Sequence, residues 1–268
     1  MGDRPGGHVP GEFLHLPGHS PVHRLPAHVK IVAAFLTIVV IVLTPPTPAW
    51  VFMAYTVVVV GVVALSGIGP ATVLRRMRVE IPFVAFAVLL PFVGQGQRIP
   101  IGPLELSEPG LLAAWNILAK ATLTLLVSVT LASTTSATDL VAGLQRLRVP
   151  DLLVQIVSAM VRYVHVVSQE WSRMSRARAA RGFTARGPRS WWVLGQSVGT
   201  LFIRSYERGE RVHLAMVSRG YSGRLPVLTT TTAGPAEWAR ALTVPVVIGV
   251  ISLIPLIAAA GTFAGGAS

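Results

Sequence analysis

Cysteine is missing from all 268 residues. Disulfides, zinc-thiolate sites and thiol nucleophiles are therefore closed to this chain, and cysteine usage says nothing of its redox compartment. Charge is scarce as well. Only 13% of residues are charged while 52% are hydrophobic, and the mean hydropathy of +0.62 excludes an ordinary soluble domain of this length. Acidic residues are fewest: 11 Asp and Glu face 23 Lys and Arg, for a formal net charge of +12. That balance would suit nucleic acid if the cations covered a soluble surface. Here they are segregated between hydrophobic blocks, which points to membrane topology and away from nucleic acid.

What is present is a series of apolar runs. The first 28 residues hold five His and five Pro. They lack the short apolar core that a cleavable signal places after its basic stretch, so they are expected to be retained. Residues 29–44 and 50–65 then read as two spans joined across Pro45-Pro46-Thr47-Pro48, a turn too proline-rich to be helical. After the basic stretch Arg75-Arg76-Met77-Arg78 comes a third span at 81–93, short for a bilayer unless its flanks contribute. Residues 94–109 read as a loop, 111–133 as a long fourth span and 241–260 as the last. The pattern predicts an all-α, polytopic membrane protein with about five transmembrane helices.

Arginine placement sets the predicted orientation. Residues 135–240 carry fifteen arginines and the 75–78 stretch three, whereas the 94–109 loop carries only Arg98. Short basic loops stay in the cytoplasm, so the amino terminus is expected inside and the carboxyl terminus outside.

Residues 135–240 read as too polar to span and too regular to be a disordered tail. Val164, Val167, Trp171, Met174 and Arg178 follow three-four spacing, with Arg162, His165, Gln169, Arg173 and Arg176 off that stripe. A second amphipathic helix is predicted over residues 190–219, with Leu194, Val198, Leu201, Val212 and Ala215 on a stripe interrupted by Ser205 and Arg208. Gly182 and Gly220 sit where a helix end wants a left-handed residue. The two ends repeat each other: Arg173 and Arg181, like Arg211 and Arg219, are eight apart, and Phe183 or Tyr221 follows the glycine. A bland reading makes each arginine a complement to the helix dipole and each glycine a stop. Two copies in one insert favour docking instead, because a guanidinium at a capped helix end can meet a partner's carboxylate in a planar, charge-assisted contact.

Asp139-Leu140, Leu144, Val149-Pro150, Arg162-Tyr163, Glu170, Ala180-Arg181-Gly182, Ala215-Met216 and Ser218-Arg219-Gly220-Tyr221 together carry a family resemblance. The chain resembles the transmembrane T component of energy-coupling factor (ECF) transporters over nearly its whole length. The string at 18–26 with Lys30 is most similar to the cobalt-type, CbiQ-like branch. The resemblance implies two long cytoplasmic coupling helices whose ends dock on a pair of ATP-hydrolysing subunits. Ala180, Arg181, Gly182, Ser218, Arg219 and Gly220 would form those docking motifs, with Ser218 replacing the usual Ala. It further implies a membrane S component that binds cobalt or nickel. ATP would be bound on the partner subunits, since no G-x-x-x-x-G-K-[ST] loop occurs here. This chain would bind no cofactor and hold no catalytic or metal-ligating residue. The implied organisation is a polar segment at 1–28, a four-helix transmembrane region at 29–134, the coupling region at 135–240 and a last transmembrane helix at 241–268.

Other readings stay open. A vitamin-type T component would share the mechanism with another substrate. A membrane-embedded hydrolase would need a nucleophile with its base, and Ser128, Thr130 and Lys120 lack a His, Asp or Glu partner within a span. A channel would need polar rings that the Val, Leu, Ala and Ile of the spans do not provide. His15, His19, His23 and His28 have spacings that would suit a metal on a helix. Pro17, Pro21 and Pro26 interrupt that helix, so a solvated or interfacial tail is expected. Lys120, deep in the fourth span, has either a coupling role or a packing role in which its ammonium meets backbone carbonyls or reaches water. Glu80 is expected at the membrane interface, compensated by Arg75, Arg76 and Arg78.

Overall fold

The computed structural model describes residues 18, 20–45, 49–94, 98–101, 104–183, 187, 189–223 and 233–265. These form two compact units, one drawn from residues within 14–143 and 231–268, the other from residues within 144–230. His15 and His19 lie outside the described residues.

The first unit is a helical bundle. Helices α1 (Ala27–Leu43) and α2 (Ala49–Ser66) are followed by the short α3 (Pro70–Met77), a 3-10 turn (Arg78–Glu80) and α4 (Ile81–Val93). Then come a hairpin of β1 (Arg98–Ile101) and β2 (Leu104–Ser107), α5 (Glu108–Thr134) and α6 (Ala137–Arg146), and after the second unit α9 (Pro235–Gly265). Leu123 and Leu126 of α5, Ile41 of α1, Ile248 of α9, and Phe52 and Tyr55 of α2 share one buried cluster. The chain is a multi-pass membrane protein of all-α character. The outward faces fit that reading: along α4, Phe83, Phe86, Leu89 and Val93 are exposed, as lipid-facing side chains would be.

Two sequence expectations need correction here. Residues 94–109 are not a plain loop: β1 and β2 pair antiparallel with Arg98 opposite Ser107 and Ile101 opposite Leu104. Their pairing satisfies backbone groups that an irregular loop would leave to solvent. Helix α5 also begins at Glu108, earlier than expected, because Ser107 accepts a hydrogen bond from the Gly110 amide at 3.4 Å and Pro109 suits a first turn. Gly110 is where α5 meets α4. A Cβ there would stand 2.7 Å from the Leu90 carbonyl oxygen, so only glycine permits the approach.

Polar residues in the bundle are spent on helix ends. Lys120 Nζ donates to the carbonyls of Val42 at 3.0 Å and Thr44 at 2.6 Å, and Lys30 Nζ donates to that of Thr134 at 2.8 Å. Each lysine thus satisfies carbonyls that α1 and α5 leave open at their carboxyl ends, where the helix dipole also favours a cation. The packing reading of Lys120 is the one its contacts support. Lys120→Met should lower stability by about 1–3 kcal/mol by orphaning those carbonyls, read as earlier thermal unfolding in detergent; an unshifted transition would refute the assignment. Glu80 is buried within the protein, with 6% of its surface exposed, and accepts a hydrogen bond from Thr122 of α5 at 2.5 Å. The 3-10 turn carries it inward, which its basic neighbours in sequence could not reveal.

The second unit contains α7 (Asp151–Ala180) and α8 (Arg189–Val217). The sequence reading took this region as too polar to span. By length and composition alone, however, α7 joins α2, α5 and the 235–255 stretch of α9 as long and apolar enough to cross a membrane, through a window of mean hydropathy 1.3. Averaging over 135–240 hid it, because the arginines crowd the second half of α7.

Candidate functional site

Helices α7 and α8 end in the same backbone figure. At the end of α7, the Phe183 amide donates to the Arg178 carbonyl and the Gly182 amide to the Ala179 carbonyl, both at 3.0 Å. At the end of α8, Tyr221 donates to Met216 and Gly220 to Val217, again at 3.0 Å. Crossed six-to-one and five-to-two bonds of this kind define a Schellman cap, which needs a left-handed residue just past the helix. Gly182 at φ 74° and Gly220 at φ 84° supply it. Glycine there meets no Cβ penalty.

The caps fix where the arginines stand. Arg181 and Arg219 each occupy the residue before the left-handed glycine, with the chain turning away beyond them, and both are exposed. Ala180 and Ser218 precede them, also exposed. The six candidate residues thus form two local sites of matching geometry. No metal-binding cluster of His, Cys, Asp or Glu occurs among the described residues. Of the four histidines weighed as ligands, His23 shares a 2.7 Å hydrogen bond with Ser20, and His28 stacks edge-on against Trp238 at 5.9 Å.

Polar cross-ties hold the two helices to each other. Tyr221 donates its hydroxyl proton to Gln155 Oε1, and Gln155 Nε2 donates to the Gly223 carbonyl at 2.6 Å. Farther along, Arg204 of α8 pairs with Glu170 of α7. Contacts of 155 with 221 and of 170 with 204 run in opposite senses along the chain, so the helices are antiparallel. Arg178 lies over the Trp171 ring at 4.9 Å, a cation–π contact that orders the last turn before Arg181.

The predicted stripes hold at most positions. On α7 the expected stripe holds at Val167, Trp171, Met174 and Arg178, which are half-buried, with Arg162, Gln169, Arg173 and Arg176 exposed; only Val164, 54% exposed, and half-buried His165 depart from it. On α8 Leu194, Leu201 and Val212 are half-buried as expected, with Ser205 on the same line, whereas Val198 and Ala215 face out and Ser197 and Met216 turn inward. Apolar periodicity missed Ser197 because its side chain is polar. Ser197 and Ser205 are small and return their hydroxyls to the Val193 and Leu201 carbonyls at 2.8 Å, so they turn inward without an unmet polar group. The larger apolar residues are left uncovered instead, among them Trp191 at 76%, Trp192 at 73% and Phe202 at 70% exposed. Exposed apolar surface on this scale marks a membrane or protein contact.

Comparison with known proteins gives the family. Residues 18–231 match the family described as CbiQ, cobalt transport protein. The cobalt transport protein CbiQ of Rhodobacter capsulatus is 30% identical over 237 residues, covering 85% of this chain and 87% of that one. The energy-coupling factor transporter transmembrane protein EcfT of Bacillus subtilis is 26% identical over 224 residues, covering 78% and 83%. An uncharacterized Methanocaldococcus jannaschii protein is 34% identical over 100 residues, 37% of each chain. With the family match extending from the start of the bundle through both capped helix ends, the chain belongs to the CbiQ cobalt transport protein family.

Proposed function

We propose that this chain is the T component of an ECF importer for cobalt or nickel ions. It is a non-catalytic scaffold that passes ATP-driven motion from partner ATPase subunits to a substrate-binding S component in the membrane. The observation that carries this reading is the pair of matching caps, each presenting an exposed arginine at a fixed position. A preorganised guanidinium loses little freedom on docking and makes bidentate contact with a carboxylate, so two such ends suit two subunits of one ATPase dimer. Closure of that dimer around ATP would displace α7 and α8 and so tilt or release the S component. The uncovered aromatic and apolar positions of the same helices are where the S component or the lipid interface would be met. The amino terminus and both helices lie on the cytoplasmic side in this reading, and the carboxyl terminus outside.

A vitamin-type T component is the second reading, left open by relatives whose EcfT name carries no metal. Affinity purification from the native membrane separates the two. Co-recovery of an ATPase with a small metal-binding membrane subunit supports the metal importer. Vitamin-binding subunits in its place would keep the mechanism and replace the substrate. Recovery of the chain alone, with an activity of its own, would overturn the scaffold.

A further inference from the structure

A cavity of 730 Å³ opens within the first unit between α1, α2, α5 and α9, and its lining changes in chemistry along the bundle. Arg24, Lys30, Glu237 and Arg240 line it near the start of α1 and of α9, while Ala33, Ala34, Val62 and Val127 line it a turn or more further into the bundle. The volume lies inside the range of small-ligand pockets, roughly 300–1,000 Å³. The cavity is open on one side and its wall is mostly aliphatic, so something apolar fits it.

The polar part of the lining selects the headgroup. Three cations line it with one carboxylate, Glu237, which already accepts the Gly234 amide at 3.0 Å, and a second carboxylate, Asp139, lies near Lys30. Lys30, buried with 8% exposure, spends one ammonium proton on the Thr134 carbonyl and keeps two donors. Among the described residues the Arg24 and Arg240 guanidinium groups engage no side chain in an ion pair. All of these groups lie near the start of α1, the end of α5 or the start of α9, hence at one end of the bundle, where a bilayer changes from hydrocarbon to headgroup.

We propose that this cavity binds one phospholipid with an anionic headgroup, its phosphate held by Arg24, Lys30 and Arg240 and an acyl chain lying along Ala33, Ala34, Val62 and Val127. A free phosphate would satisfy the cations and leave the aliphatic wall uncovered. A zwitterionic lipid would bring its own cation to a rim that already has an excess of them. The site is separate from the capped helix ends and does not depend on the transport reading.

Native mass spectrometry of the delipidated full-length chain tests the proposal, with dioleoylphosphatidylglycerol, dioleoylphosphatidylcholine and inorganic phosphate as probes. One phosphatidylglycerol should bind per chain, about tenfold or more tighter than phosphatidylcholine. Arg24→Gln with Arg240→Gln should erase that preference. Ala34→Phe, or Val127→Phe on the opposite wall should the first fail to fold, should remove the adduct while far-ultraviolet circular dichroism stays unchanged. A photo-crosslinking residue at Val62, activated in the native membrane, should label lipid. Equal binding of the two lipids, an adduct that survives cavity filling, displacement of phosphatidylglycerol by inorganic phosphate, or labelling of a partner protein's helix from Val62 would each overturn it.

Discussion

Reversing both guanidinium charges, in Arg181→Glu combined with Arg219→Glu, should abolish co-purification of the ATPase subunits while the chain still inserts in the membrane. Removing one partner of a desolvated, hydrogen-bonded charge pair costs about 2–5 kcal/mol at an interface, or roughly thirty- to several-thousand-fold in affinity. Reversal adds repulsion to that loss. The bundle should be untouched, because both side chains stand exposed at helix ends of the other unit. Arg173 and Arg211 provide the control. Each lies eight residues before its partner arginine and makes only a 3.9 Å surface pair, with Glu170 or Glu207. Exposed pairs of that kind are worth about 0–1 kcal/mol, so Arg173→Glu with Arg211→Glu should weaken assembly by a few-fold at most. Normal ATPase recovery and normal metal uptake in the Arg181 and Arg219 variant would end the docking proposal.

The second large effect leaves the arginines in place and moves what holds them. In Gly182→Val and Gly220→Val a β-branched residue must adopt φ near 74° or 84°, which costs about 1–2 kcal/mol or more per site. The chain relieves that strain by giving up the crossed hydrogen bonds, so the last turn frays and the arginine loses its fixed position. Assembly with the ATPase should then fall although both guanidinium groups remain. Gly→Asn at the same sites should restore most of it, since Asn tolerates the left-handed region. This pair of outcomes separates docking from the bland alternative: a glycine that merely stops a helix would leave assembly indifferent to the choice between Val and Asn.

The features legible in the sequence were those set by local rules. Apolar runs located α1, α2, α4 and α5 to within a few residues and the middle of α9, which starts six residues before the expected 241, and the Arg-Gly-aromatic strings located both caps, because a Schellman end is built from consecutive residues. What stayed hidden depends on contacts between distant residues. Glu80 became buried through a hydrogen bond with Thr122, and the hairpin of β1 and β2 exists through pairing rather than apolar patterning. The α7 stripe was legible except at Val164 and His165, and the α8 stripe except at Val198 and Ala215; hydrophobic periodicity does not weigh a residue such as Ser197, which turns inward. Lys120 lay between these cases. Its position marked it as needing a partner, and only the fold identified the partner as the end of α1.

The tie between Gln155 and Tyr221 sets a length. Tyr221 follows Arg219 by two residues, so the Arg219 end is anchored near the start of α7, while Arg181 stands just beyond its other end. From residue 155 to 180 is 25 residues, which at 1.5 Å each is about 38 Å. The two arginines are therefore the tips of a rigid calliper rather than neighbours on one patch. Helical hydrogen bonds do not let such a body shorten. Under the proposed docking, two partners that each grip one tip and then draw together must convert their approach into rotation, so the angle of α7 against the membrane plane would be the quantity that reports nucleotide state.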